Sequence, residues 1–165
     1  MIVLGVDPGL SRTGYGVIEV KDREPSFLDC GFIATSTSLS FPLRLKNIYD
    51  TLLSLIDKFQ PEVVAIEDTY IAKNAQIALK LGKAAGAAIL AAVNKKKEIF
   101  SFTPLQIKQN VVGRGNASKE QVSFMVKQIL GLKEEPPPDA SDALAAALCY
   151  LSYHRYQTHL EGCEA

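Results

Sequence analysis

Residues 2–20 read IVLGVDPGLSRTGYGVIEV, and this stretch carries the clearest structural signal in the chain. Ile2–Val6 is a short apolar run of the kind that forms a buried strand, and Asp7 follows it directly. A proline and a glycine then supply turn chemistry, after which Gly14–Val20 alternates imperfectly between apolar and polar positions. The stretch therefore predicts two antiparallel strands joined by a turn, with an acid at the end of the first strand.

The rest of the chain continues as an α/β pattern. Apolar residues at helical spacing, a proline at 61, a Ser118–Gln121 capping box and a glycine at 131 indicate where helices begin and end. The predicted elements are a strand over Ser26–Thr35, a helix from about Leu45 to Phe59, a strand over Val63–Glu67, a helix from Asn74 to about Lys95, a strand over Ile99–Phe102, a helix over Lys119–Leu130 and a helix from Asp139 to about His154. This order predicts a five-stranded mixed sheet flanked by helices.

Length and composition predict one soluble domain. The chain has 165 residues with 47% hydrophobic residues, enough to cover both faces of a sheet. No signal peptide is recognised, and the longest apolar-rich stretch, Ala84–Val93, is shorter than the ~20 residues of a membrane span. The three cysteines, Cys30, Cys149 and Cys163, show no paired spacing, so reduced thiols and a cytoplasmic location are expected.

Charge is balanced overall but unevenly distributed. The chain has 18 basic and 18 acidic residues, yet the segment from Lys73 to Lys119 has nine basic residues against the single acid Glu98, a net +8. A set of solvated helix faces would explain this pattern, and so would a phosphate-binding surface. Lys95–Lys97 stand at a predicted helix end, where the helix dipole is a sufficient explanation. The residues of this segment expected to form such a phosphate-binding surface are Lys73, Lys80, Lys83 and Arg114.

Two acids stand at strand ends. Asp7 and Glu67 each follow an apolar strand, at the carboxyl end where α/β sheets commonly bind ligands. Asp7 could also be a turn residue that bonds its own backbone, and Glu67 could be an ordinary strand-end residue. An acid next to interior residues is costly unless it is solvated, paired or bound to metal.

Two further acids open the last predicted helix. Asp139 and Asp142 are three residues apart, so they share one helix face. Taken alone, they could be an N-cap and a first-turn acid that answers the helix dipole. Together with Asp7 and Glu67, they supply enough oxygen ligands for one or two Mg²⁺ ions, a site suited to phosphodiester hydrolysis.

Four stretches of the sequence resemble the RuvC family of Holliday junction resolvases. They are LGVDPGLSRTGYGVIE from Leu4, AIEDTYIAKNAQIALKLGKAAG from Ala65, QIKQNVVGRGNASKEQV from Gln106 and DASDALAAALCY from Asp139. Their order and spacing also match, so the resemblance spans roughly residues 2–150. It implies a ribonuclease-H-like fold, a nuclease domain over residues 1–156 and a tail over 157–165.

The resemblance also implies a function and its residues. It implies Mg²⁺-dependent paired nicking of four-way junctions by a homodimer, with two ions per subunit, Mn²⁺ as a substitute, and a branch-migration motor of the RuvA and RuvB type as partner. The family's acidic tetrad falls on Asp7, Glu67, Asp139 and Asp142. Lys108 and Lys119 match basic positions near the scissile phosphate. Tyr70 matches a position usually held by phenylalanine, where a ring stacks on an unpaired base, although Tyr70 could simply pack against the helix near Asn74.

Two other functions remain open from the sequence. An ATPase of the actin and sugar-kinase class also has an acidic first strand and a glycine turn, but it needs a second domain to close over the nucleotide. A module that binds junctions without cutting them would keep the lysines and tolerate loss of the acids.

Overall fold

The computed structural model describes residues 1–68 and 74–161, with side chains described as far as residue 158. Five strands and five helices follow one another in the described chain. They are β1 (Ile2–Asp7), β2 (Arg12–Lys21), β3 (Glu24–Ala34), α1 (Phe41–Phe59), β4 (Val63–Glu67), α2 (Ala75–Asn94), β5 (Glu98–Phe102), α3 (Pro104–Val112), α4 (Lys119–Leu130) and α5 (Pro138–Glu161).

The five strands form one mixed sheet in the order β3-β2-β1-β4-β5. β2 runs antiparallel to both β1 and β3, while β4 runs parallel to β1 and β5. The parallel pairs are connected through helices and the antiparallel pairs through short turns, as chain geometry requires. This arrangement confirms the predicted five-stranded mixed sheet.

Each face of the sheet carries its own core. On one face α1 and α2 pack over β1 and β4, and residues such as Leu4, Ile48 and Ile66 are almost fully buried there. On the other face α5 packs over β1, β2 and β4, and α3 and α4 pack against α5, with Val3, Val126 and Leu144 buried. Two covered faces explain the nearly continuous apolar sequences of β1 and β4.

The helix boundaries follow the local chemistry closely. Asn74 caps α2 by accepting from the Gln76 backbone N–H, and Ser118 with Gln121 forms the predicted capping box of α4. Gly131 ends α4 at φ 61°, in the left-handed region that favours glycine. These termini are encoded within a few residues of sequence.

The helices α1, α3 and α5 differ from the sequence predictions, and α1 begins at Phe41 where a start near Leu45 was expected. The helix α3 was not predicted, although Thr103 and Gln106 form a capping box at its start and a proline occupies its first turn. The helix α5 begins at Pro138, so Asp139 is a first-turn residue and not the N-cap, and it continues to Glu161, well past the predicted end near His154. Residues 157–161 are therefore helical.

The helix α2 is buried along one face. Its buried residues are alanines at 84, 87, 88, 91 and 92, which lie against α1 and the sheet. A Cβ added at Gly82 or Gly86 would meet nothing within 4 Å, so these two glycines have no close neighbour among the described residues. The helix is also long and apolar enough to cross a membrane by length and composition alone, so the apolar stretch exceeds Ala84–Val93. Five alanines of this helix are nonetheless buried in the core.

Candidate active site

Asp7 and Glu67 end two neighbouring parallel strands. Val6 of β1 pairs with Ile66 of β4, so the two acids follow at the same level, on strands about 4.8 Å apart. Both side chains are partly buried at the carboxyl edge of the sheet. The sheet register thus brings together two acids that are 60 residues apart in sequence.

The helix α5 brings Asp139 and Asp142 to the same edge. Asp7 pairs across the sheet with Gly14 of β2, and a Cβ on Gly14 would lie 1.9 Å from the Asp139 carbonyl oxygen. Only a glycine permits this approach of helix backbone to strand. A Cβ on Gly5 would likewise lie 1.9 Å from the Ala143 carbonyl oxygen. The first turns of α5 therefore rest directly on β1 and β2.

All four acids line one cavity of about 400 Å³. Lys108 of α3 and Lys119 of α4 stand in its wall, and so does Arg12, from the start of β2. The other lining residues are Pro8, Gly9, Leu81, Pro104, Ile107 and Val122. The cavity therefore combines four carboxylates with three cations.

The acids repel one another. Burial, followed by the charge of Asp142, raises the pKa of Asp7 to about 6. Burial, followed by the charges of Asp7 and Asp142, raises the pKa of Glu67 to about 8. A cation placed among the carboxylates would relieve this repulsion and lower both pKa values. Perturbed acids in a cavity are a common property of functional sites.

Two ion pairs partly neutralise the acids. Lys119 donates from Nζ to Oδ2 of Asp142 at 2.6 Å, and this hydrogen bond raises the pKa of the lysine. Arg12 Nε lies 3.6 Å from Oδ2 of Asp139. Asp7 and Glu67 have no ion pair within the described part of the chain, which fits the higher pKa values of these two acids.

Carboxylate oxygens are the donors that a hard divalent cation prefers, so the chemistry of the four acids fits such an ion. Within residues 1–68 and 74–158, however, no three acids, histidines or cysteines are drawn together as a ready metal site. The ion pairs of Asp142 and Asp139 give a physical reason, because each acid is oriented toward a cation of the protein. The residues that would hold a metal are Asp7, Glu67, Asp139 and Asp142.

The predicted basic residues separate into distinct places. Lys108 and Lys119 line the acidic cavity, and Lys80 lines a second cavity beside it. Lys83 lies over the ring of Phe41 at 5.2 Å, between α1 and α2, and the exposed Arg114 lies in the loop between α3 and α4.

Lys95–Lys97 follow the carboxyl end of α2, about 30 Å from the amino end of this 20-residue helix. There Lys95 pairs with Asp57 at 2.7 Å.

Two predicted residues, Tyr70 and Lys73, lie outside the described residues. The sequence reasoning missed Arg12 and Arg44. Arg12 is five residues beyond Asp7, and its only sequence signal was a positive charge close to the strand-end acid. Arg44 lies on α1 with no motif around it, and only the fold brings it to the loop after β1.

Comparison with known proteins covers nearly the whole chain. The family described as crossover junction endodeoxyribonuclease RuvC matches residues 3–150. A protein of that name from Natranaerobius thermophilus is 47% identical over 161 residues, covering 97% of this chain and 100% of the relative. Another from Citrifermentans bemidjiense is 50% identical over 150 residues, covering 91% and 92%.

Solved structures agree with the sequence relatives. Thermus thermophilus RuvC in complex with a Holliday junction substrate has a TM-score of 0.91 and 38% identity, covering 96% of this chain and 97% of that one. The yeast mitochondrial Holliday junction resolvase has a TM-score of 0.70 at 16% identity, and shares the fold.

The sheet order, the helices on both faces and these structural neighbours define a nuclease with a ribonuclease-H-like fold. Within that class the chain belongs to the RuvC family, the crossover junction endodeoxyribonucleases. Nucleases of this family are metal-dependent. Membership decides against the ATPase of the actin and sugar-kinase class.

Proposed function

We propose that this protein resolves four-way DNA junctions by hydrolysing one phosphodiester bond in each of two symmetric strands. The observation that carries the proposal is the convergence of four carboxylates from β1, β4 and α5 on one cavity with Lys108 and Lys119 in its wall. Carboxylates alone would repel a phosphate, so the lysines supply the positive charge that lets the DNA backbone enter.

The four acids are proposed to hold two Mg²⁺ ions, with Mn²⁺ as a substitute. Bound in this way, the ions supply an activated water and stabilise the leaving oxygen of an in-line displacement. The protein's own part is to hold the oxygen ligands on two paired strands and on a helix that packs directly against the sheet. Because Glu67 has a pKa of about 8, it must lose a proton before it can act as a ligand near neutral pH.

Lys108 and Lys119 are proposed to stabilise negative charge on the phosphoryl oxygens as the bond breaks. Lys119 is bonded to Asp142 in the structure. If Asp142 held a metal ion, its carboxylate would no longer be available to Lys119, and the ammonium group could donate to the phosphate instead. Lys80, Lys83 and Arg114 are proposed to contact the DNA backbone farther from the bond, and Tyr70 and Lys73 belong to the same proposed surface.

A homodimer is proposed because the substrate has two equivalent cleavage points. The side of α2 that faces away from the sheet supports a homodimer. Ala85 and Gly86 are only partly buried there, and the neighbouring Leu90 and Val93 are 59% and 54% exposed. A cavity of about 370 Å³ between α1 and α2 is lined by Leu45, Lys46, Tyr49, Lys83, Gly86, Ala87 and Leu90. A second copy of the chain would cover this surface.

Further proposals follow from family membership alone. They are action in the cytoplasm, cooperation with a branch-migration motor of the RuvA and RuvB type, and a nuclease domain over residues 1–156 with a tail beyond it.

The test is a cleavage assay on a labelled four-way junction and on a linear duplex of the same sequence. We expect paired nicks in the junction with Mg²⁺, none with EDTA, and little cutting of the duplex. Tight junction binding without any nick in Mg²⁺ or Mn²⁺ would favour the non-cutting module instead.

A further inference from the structure

A second cavity adjoins the acidic one. It has a volume of about 480 Å³ and shares Gly9, Arg12, Leu81 and Asp139 with the cavity that holds the four acids. The remaining lining residues are Leu10, Ser11, Arg44, Ile77 and Lys80. A strand whose phosphodiester lies at the four acids would therefore continue directly into this second space.

Arg12 is held in place without using its hydrogen-bonding capacity. Its guanidinium lies 3.8 Å from the centre of the Phe32 ring, a stacking contact that fixes the plane of the group. Its only ion pair is the 3.6 Å approach to Asp139, and it makes no hydrogen bond to any described residue. A flat guanidinium presents five N–H donors, and here they are unused.

Arg44 reaches the same cavity from α1. Its Nε donates to Thr35 Oγ1 at 2.9 Å, and its Nη2 donates to the Leu10 carbonyl at 3.2 Å and to Ser11 Oγ at 3.1 Å. Thr35 also donates to the Leu10 carbonyl. Arg44 is half-buried, and no described carboxylate pairs with it. A positioned arginine with only neutral partners keeps its whole charge available to an anion.

The charge of the cavity points to a particular ligand. Arg12, Arg44 and the exposed Lys80 provide three positive charges, and Asp139 provides the only negative one. Residues 69–73 precede this part of α2 and contain no acid, so they cannot supply a missing partner. Excess cations beside an apolar wall of Ile77 and Leu81 suit a phosphate group with its attached sugar.

We propose that Arg12, Arg44 and Lys80 form a subsite for the DNA backbone of the cleaved strand, next to the phosphodiester that is cut. This inference rests on the proposed junction-cutting function. Arg12 provides the fork of donors, Arg44 provides charge and fixes the loop over Leu10 and Ser11, and Lys80 closes the cavity from α2. The subsite holds the strand in register with the acids.

The test combines removal of one phosphate charge with removal of one side chain. The cut position is first mapped on a junction with Mg²⁺, which checks the proposed function by itself. Junctions carrying one neutral methylphosphonate at successive positions on either side of the cut are then titrated by fluorescence anisotropy in EDTA. We expect one or more positions beside the cut to weaken wild-type binding about tenfold, the size of one or two charge-assisted hydrogen bonds.

The protein variants decide the assignment. In Arg12→Ala the same methylphosphonate should weaken binding by less than about twofold, because the contact has already been lost. Lys80→Ala changes an exposed helix residue, so this variant should melt like the wild type. Its binding should no longer be weakened by a methylphosphonate at the phosphate that Lys80 contacts. Arg155→Ala is the matched control, since Arg155 is exposed about 20 Å along α5 from Asp142 and should keep the wild-type pattern.

Two outcomes would overturn the subsite. If Arg12→Ala and Lys80→Ala both keep the wild-type methylphosphonate pattern while the junction is cut normally, the subsite is wrong and the proposed function stands. If the wild-type protein neither binds nor cuts the junction, the proposed function fails and the subsite fails with it.

Discussion

Glu67 shows how far the environment of one residue departs from that of a free side chain. Its ordinary pKa of 4.5 is raised to about 8 by burial and by the neighbouring carboxylates, and the pKa of Asp7 is raised from 3.8 to about 6. A carboxyl group whose pKa is higher in the folded state favours folding at low pH. That contribution is complete below the unfolded value and is lost as the pH rises through the folded value.

We therefore expect the metal-free protein to become less stable as the pH rises from about 5 to about 8.5. Melting curves in EDTA measure this change directly. Glu67→Gln removes the largest of the titrations and should flatten the dependence, because the amide stays neutral throughout. Glu134→Gln alters an exposed acid as a control and should follow the wild type. A wild-type melting temperature that rises over this pH interval would contradict the assignment.

Asp7→Asn removes a proposed metal ligand and none of the basic surface. Cleavage of the junction should fall by more than about 100-fold, while the dissociation constant in EDTA changes less than about threefold. Gel-shift and cleavage assays on one preparation measure both. Asp29→Asn is a control on β3, where the acid pairs with Lys58. Wild-type nicking by Asp7→Asn would remove Asp7 from the metal site.

At the scale of the elements, the contact between α5 and the sheet decides where two of the acids lie. Gly5, in the middle of β1, leaves no room for a side chain beside the Ala143 carbonyl. Gly5→Ala should therefore push α5 outward, with a loss of stability of about 1–3 kcal/mol or more and a fall in cleavage.

Thermal melting and single-turnover cleavage measure the two effects of Gly5→Ala. Gly82→Ala is the matched control, because a Cβ there meets nothing within 4 Å, and it should gain roughly 0.5–1 kcal/mol from a better helix propensity. An unchanged melting temperature for Gly5→Ala would mean that the helix can shift without cost.

The lysines of the +8 segment should have different roles, which depend on where their helices place them. Lys108 and Lys119 line the acidic cavity, whereas Lys95–Lys97 lie at the far end of α2. Lys108→Ala and Lys119→Ala should each slow single-turnover cleavage about 100-fold, because charge near the phosphate matters most in the transition state. Neutralising Lys95–Lys97 together should at most reduce affinity and its salt dependence.

Single-turnover rates at saturating enzyme separate these cases, since binding no longer limits the signal. The division of roles is wrong if the triple variant loses its rate while Lys108→Ala keeps it.

At the scale of the whole molecule, the exposed side of α2 predicts a homodimer. Sedimentation at micromolar concentration should show a dimer for the wild type and a monomer for Leu90→Glu, since a carboxylate would be placed in the contact between the two copies and would lose its water. Phe124→Glu changes an equally exposed apolar residue on α4, over the other face of the sheet, and should leave the dimer intact. If only Phe124→Glu dissociates the dimer, the interface lies on the face that carries α4, and the proposed interface on α2 is wrong.

Local sequence was sufficient to predict most of the fold, and the four acids selected from it line one cavity. The strand ending at Asp7, the Asn74 cap and the Ser118 capping box each depend on a few adjacent residues, so their signals are readable without the fold. The helix α3 has such a signal as well, in Thr103 and Gln106, and it was overlooked. The four acids could be selected because their chemistry and the family resemblance agree.

Tertiary structure decided what lies beside those acids. Arg12 meets Asp139 from 127 positions away in sequence, and Arg44 meets Leu10 because α1 crosses the loop after β1. The free side of α2 was likewise undetermined, because alanine and glycine suit both a buried and an exposed helix face. Contacts between distant residues depend on sheet register and helix packing, and no local pattern encodes them.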